Sequence, residues 1–106
     1  MISENQRKKA KLFQELHKKG LFVLPNAWDA GSAYVFEKEC FSAVGTSSAG
    51  VSYALGYADG ENIAFEDVYQ CAKQILRRVS LPVTIDLERG YSESPSEVKG
   101  NACKLL

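Results

Sequence analysis

Asp86 and Glu88 are the two residues whose spacing most directly suggests chemistry. They close an apolar run, LPVTID, at residues 81–86. If that run is a strand and continues, residues i and i+2 point the same way, and two carboxylates converge at its mouth. Hard oxygen ligands of this kind suit Mg2+, which takes one or two carboxylates and fills its shell with water and substrate oxygens. The alternative is a surface pairing of Glu88 with Arg89 or Lys99.

Two further places carry polar or small residues. Thr46 to Gly50, with Ser47, Ser48 and Ala49 inside it, offers small side chains and backbone N–H groups after a second apolar run, which suits a carboxylate or phosphate. A tight loop with capping hydroxyls fits the same residues. Asn26-Ala27-Trp28-Asp29 follows a third run, LFVLP, at residues 21–25. Asp59-Gly60 marks a turn, where aspartate usually serves the backbone. His17, the one histidine, precedes every candidate strand and reads as a boundary residue. Trp28 reads as packing at a strand–helix corner, and Cys71 as a small apolar filler. No Ser/His/Asp order, glycine-rich phosphate loop or aromatic–basic interleaving is present.

These groups need elements to position them. Residues 3–19 read as a helix with a Ser3/Gln6 capping box and Gly20 past its end. LFVLP reads as a buried strand. Asp29 caps a helix over about residues 30–39, with Ala33, Phe36 and Cys40 on one face. A second strand runs from about Ser42 to Thr46, and residues 47–64 read as a long irregular segment. Val68, Cys71, Ala72, Ile75, Leu76 and Val79 form one helical stripe. Residues 81–86 are the third strand. Ser94-Pro95-Ser96-Glu97 opens a last helix with a capping box and proline at its first position, although Gly100 weakens it and VKGNACKLL fits poorly from about residue 98. Strands alternating with helices imply an α/β fold with a parallel sheet and right-handed crossovers. Ligands in such folds bind at the carboxyl ends of the strands, where all three polar places lie.

The 13 basic and 13 acidic residues cancel, which argues against a nucleic-acid or anionic-membrane binder. The basic cluster Arg7, Lys8, Lys9 and Lys11 reads as a solvated helix face. No run approaches the ~20 apolar residues of a membrane span, and MISENQRKKAK is not a secretory leader. Three scattered cysteines argue against a disulfide scaffold or zinc site and for a reducing cytoplasm.

LPNAWDAGSA, VGTSSAGVSYALGYADGE and LPVTIDLERGY together resemble the N-terminal part of the isocitrate lyase / phosphoenolpyruvate mutase superfamily, on its phosphoenolpyruvate mutase-like and 2-methylisocitrate lyase-like branch. The resemblance implies a (β/α)8 TIM barrel, a homo-oligomer (dimer or tetramer), Mg2+, and a 2-oxo- or 2-hydroxycarboxylate or phosphonate substrate. It implies cleavage or formation of a C–C or P–C bond through a pyruvate-enolate-like intermediate. By position it makes Asp86 the direct Mg2+ ligand and Glu88 a ligand through water, where many relatives carry Asp. It makes Ser47, Ser48 and Ala49 the substrate-carboxylate site. It gives Asp59 a catalytic place on a mobile loop, and it matches Asn26, Trp28 and Asp29 without a defined role. The family's next acidic metal-site residue, its loop cysteine and its substrate-clamping arginine fall beyond Leu106, and Cys103, on a helix, does not replace that cysteine.

Three strands with two open edges make a poor complete domain, so residues 1–106 are expected to be a single partial domain, inactive alone. The rival reading is a non-catalytic remnant that only self-associates or binds other chains. A receiver-like module would need an acidic pair after its first strand, where only Asp29 stands.

Overall fold

The computed structural model describes residues 2–106. Its chain order is α1 (Glu4–Leu16), β1 (Asn26–Ala27), α2 (Ala30–Lys38), β2 (Val44–Thr46), α3 (Ser48–Ala54), α4 (Phe65–Arg78), β3 (Val83–Thr84) and α5 (Pro95–Leu105). The strands form one parallel sheet in the order β1-β2-β3. Asn26 and Ala27 pair with Gly45 and Thr46, and Val44 and Gly45 pair with Val83 and Thr84. This register brings the three carboxyl ends to one edge.

The capping signals hold at the first two helices. Ser3 and Gln6 form a reciprocal capping box on α1, and Asp29 and Ser32 form one on α2. The core is small and sits between the sheet and the α2–α4 pair: Ala27, Ala33, Val44, Ile75 and Val79. Alanines at 27 and 33 let α2 approach the sheet closely. A second cluster of Val51, Ile63 and Val68 lies under the carboxyl ends of the strands, with Cys71 and Tyr91 packed on it.

Several expectations are corrected. LFVLP is not a buried strand: pairing starts at Asn26, and Leu21 and Val23 are 93% and 56% exposed. The Pro25 carbonyl still accepts the Gly45 N–H at 2.9 Å, so only the end of the run reaches the ladder. Residues 47–64 are not irregular throughout. Ser47 caps the Gly50 N–H at 3.0 Å and starts α3, which buries Val51 and Ser52. α1 stops at Leu16, where the His17 ring donates to the Phe13 carbonyl and packs edge-on against Phe13 and Phe22. Cys40 lies past α2, exposed, with φ 66. Leu76, expected in the buried stripe of α4, is 42% exposed.

At α5 no capping box forms, because Ser92 rather than Ser94 hydrogen-bonds Glu97. The helix nevertheless continues to Leu105 through Gly100, and Asn101 Nδ2 donates to the Gly90 carbonyl at 2.8 Å. The segment after residue 98 is therefore part of the fold. Trp28 lies at the corner between β1 and α2, half-exposed at 44%.

Candidate active site

Three loops leave the carboxyl ends of the strands. The β1 and β2 loops are drawn together by the Ser47 N–H donating to the Ala27 carbonyl at 3.0 Å. A Cβ on Gly50 would lie 3.1 Å from Trp28 Cβ, so a side chain at 50 would push these loops apart. The β2 and β3 ends are joined by the hydroxyl of Thr46, a residue only 8% exposed, which accepts the Asp86 N–H at 2.9 Å. That bond extends the pairing past the last backbone rung and fixes where Asp86 leaves the sheet.

Asp86 contacts Glu88 through the backbone, and the two are not alternating residues of a strand. β3 ends at Thr84. Asp86 Oδ1 instead accepts the backbone N–H of Glu88 at 3.0 Å, a side-chain turn of the kind aspartate favours. The chain then bends through Glu88 (φ 49), Gly90 (φ 88) and Tyr91 (φ 61), all left-handed. A Cβ on Gly90 would sit 2.5 Å from Val98 Cγ1, so only glycine fits that bend against α5.

Tyr91 Oη donates to Glu88 Oε2 at 3.0 Å. Burial and then the Glu88 carboxylate push the Tyr91 hydroxyl above its ordinary pKa, so it stays a donor across the physiological range. One oxygen of each carboxylate is thus held, and neither Asp86 Oδ2 nor Glu88 Oε1 has a protein partner among the described residues. Two carboxylates with uncommitted oxygens fit Mg2+, which draws its remaining ligands from water and substrate. Among the described residues no group of three or more His, Cys, Asp and Glu side chains is placed to hold a metal.

Ser47, Ser48 and Ala49 lie directly after β2, with Ser47 as cap and Ser48 and Ala49 opening α3. The N–H groups of Ser48 and Ala49 have no acceptor among the described residues. Asp59 is exposed in a turn held by Asn62 Nδ2, which donates to the Asp59 carbonyl at 2.7 Å. Its carboxylate has no partner among the described residues. Glu61, two residues on, does reach the β3 loop: its Oε2 accepts the Arg89 N–H at 2.6 Å and the Tyr91 N–H at 3.3 Å. Sequence reasoning missed Glu61 and the roles of Thr46 and Tyr91. Tyr91 carried the one available signal, an aromatic hydroxyl three residues from a candidate ligand.

Asn26 Nδ2 donates to the Leu24 carbonyl, and Asp29 serves as helix cap. A gap of about 10 Å3 lined by Thr46, Ser48, Cys71, Asp86 and Tyr91 lies beneath the loops. It has room for one water at most, so it is a packing defect and not a substrate pocket. Asp86 itself is exposed at the carboxyl edge of the sheet. No helix among the described residues is long and apolar enough to cross a membrane.

Residues 13–106 match the family model described as phosphoenolpyruvate phosphomutase. An uncharacterized protein of Mycobacterium tuberculosis is 38% identical over 94 residues, which cover 88% of this chain and 36% of that protein. A 2-methylisocitrate lyase of Halalkalibacterium halodurans is 30% identical over 89 residues, covering 83% of this chain and 30% of the enzyme. Among solved structures, a Burkholderia cenocepacia protein provisionally called a phosphonomutase superposes with a TM-score of 0.88 at 37% identity, covering 92% of this chain and 40% of that one. The chain therefore spans between 30% and 40% of the length of these relatives.

Proposed function

The chain belongs to the phosphoenolpyruvate mutase/isocitrate lyase superfamily, and from that premise we propose that it forms the N-terminal part of an Mg2+-dependent lyase or mutase barrel acting on a 2-oxo- or 2-hydroxycarboxylate or a phosphonate. The observation that carries this reading is the tethered pair Asp86 and Glu88 at the carboxyl edge of the sheet, each with an uncommitted oxygen. When bound there, Mg2+ supplies positive charge against the oxyanion of a pyruvate-enolate-like intermediate.

The chain's own residues do the rest. Asp86 would hold the ion directly and Glu88, oriented by Tyr91, would hold it through water. Ser47, Ser48 and Ala49 receive the substrate carboxylate through the Ser48 and Ala49 N–H groups and the Ser47 hydroxyl. Asp59 approaches the reacting centre from its own turn. A lyase and a protein called a phosphonomutase among the relatives support both C–C and P–C chemistry within this reading.

The test is a chimera in which residues 13–106 replace the matching segment of the Halalkalibacterium halodurans lyase. It should turn over 2-methylisocitrate with Mg2+. Asp86→Ala should lower turnover by at least about a hundredfold. Glu88→Asp should keep most of it. The 106-residue chain alone should bind Mg2+ weakly and turn over nothing. Full activity in Asp86→Ala, or robust activity of the short chain, contradicts the assignment.

A second reading is a remnant that only associates with other chains. The exposed Leu21 and Val23 beside the open edge of β1 favour it. Both readings predict association at micromolar concentration, since an open apolar edge pairs readily; weak Mg2+ binding at Asp86 separates them.

A further inference from the structure

Glu61 lies two residues after Asp59 and contacts a loop 28 to 30 residues further along the chain. Its Oε1 is also 3.4 Å from the Arg89 guanidinium. The Glu61 side chain is 8% exposed, whereas that of Arg89 is 75% exposed. Solvent screens the ion pair, so the two charge-assisted bonds to backbone N–H groups dominate the contact. The backbone on both sides is left-handed, with φ 62 at Glu61, 49 at Glu88 and 61 at Tyr91. Such residues persist only where their surroundings over-determine them. On the far side Asn101 holds the Gly90 carbonyl, and Glu61 holds the amides flanking it.

We propose that Glu61 is a positioning residue whose carboxylate latches the turn carrying Asp59 to the loop carrying Glu88, so that the two loops order and loosen together. The consequence, which rests on the functional reading above, is that a metal bound at Asp86 and Glu88 also orders the Asp59 turn. No residue of that turn need touch the metal for this to happen.

Hydrogen exchange read peptide by peptide on the 106-residue chain tests the latch. In Glu61→Gln a neutral amide oxygen replaces the charged acceptor of both N–H groups, so both bonds weaken together and the Arg89 pairing is lost. Exchange at residues 58–60 and 89–91 should rise together by about tenfold, with the buried amides of α4 unchanged. Loosening of one loop alone, or of neither, overturns the latch. Should Glu61→Gln unfold the chain, Asn101→Ala carries the test. A rise at 58–60 as well as at 89–91 upholds the latch, and a rise confined to 89–91 overturns it.

Millimolar Mg2+ alone is the second arm. It should slow exchange at 86–91 and 58–60 in the unmodified chain, but only at 86–91 in Glu61→Gln. Protection reaching 58–60 in both proteins overturns the latch. No Mg2+ effect at either loop counts against the metal reading, while the metal-free comparison still decides the latch.

Discussion

Asp86 Oδ1 accepts the backbone N–H of Glu88 at 3.0 Å, and this one bond sets the spacing of the two candidate metal ligands. Neither strand nor helix geometry places them. A turn made by the first ligand presents the second, and Tyr91 then fixes the second ligand's side chain.

Gly90 is the steric hinge of the loop. At φ 88, with Val98 Cγ1 2.5 Å from any added Cβ, Gly90→Ala suffers both backbone strain and a clash. We expect a loss of about 2–4 kcal/mol in urea unfolding. Val98→Ala in the same chain should recover the clash but not the strain. An unchanged midpoint in Gly90→Ala would mean that the loop does not pack on α5 as described.

Tyr91 gives the loop a pH signature. Its hydroxyl has a raised folded pKa, so the neutral form is favoured by folding. The folded state then binds more protons than the unfolded state above the ordinary tyrosine pKa of about 10. The stabilisation is fully present below that pH and is lost as pH rises further. Thermal unfolding at increasing alkaline pH should show a falling limb that Tyr91→Phe makes shallower. Parallel limbs in the two proteins would remove Tyr91 as its source.

The cysteines should separate by reactivity. Burial, and then the charge of Asp29, push the Cys71 thiol upward, and its Sγ lies 3.5 Å from the Trp28 carbonyl. Cys40 and Cys103 are exposed. Iodoacetamide followed by mass spectrometry should label Cys40 and Cys103 first and Cys71 last. Labelling of Cys71 at the rate of the other two would show that the cluster beneath the site is open.

Much of this architecture is legible in the sequence because local signals agree. Ser3 and Asp29 cap helices where their spacing predicts, and Val68, Ala72, Ile75 and Val79 are the buried stripe that their period describes. The alternation of helices and strands gives the parallel sheet. α3 was hidden because its only fully buried residues, Val51 and Ser52, are adjacent and set no period. The run at 21–25 misled because apolar composition does not reveal which neighbours a strand finds. The site was legible as three strand-end loops, and its internal bonds were not. Thr46 to Asp86 and Glu61 to Arg89 join residues 40 and 28 apart, and no local pattern encodes such pairs.

Amide NMR of the chain titrated with Mn2+ tests the central assignment most directly. Mn2+ accepts the same oxygen ligands as Mg2+ and broadens amides near it. Broadening should begin at residues 86–89, be displaced by excess Mg2+, and vanish in Asp86→Ala while the rest of the spectrum is retained. Broadening centred elsewhere, or unchanged at 86–89 in Asp86→Ala, would contradict a metal site at the mouth of β3.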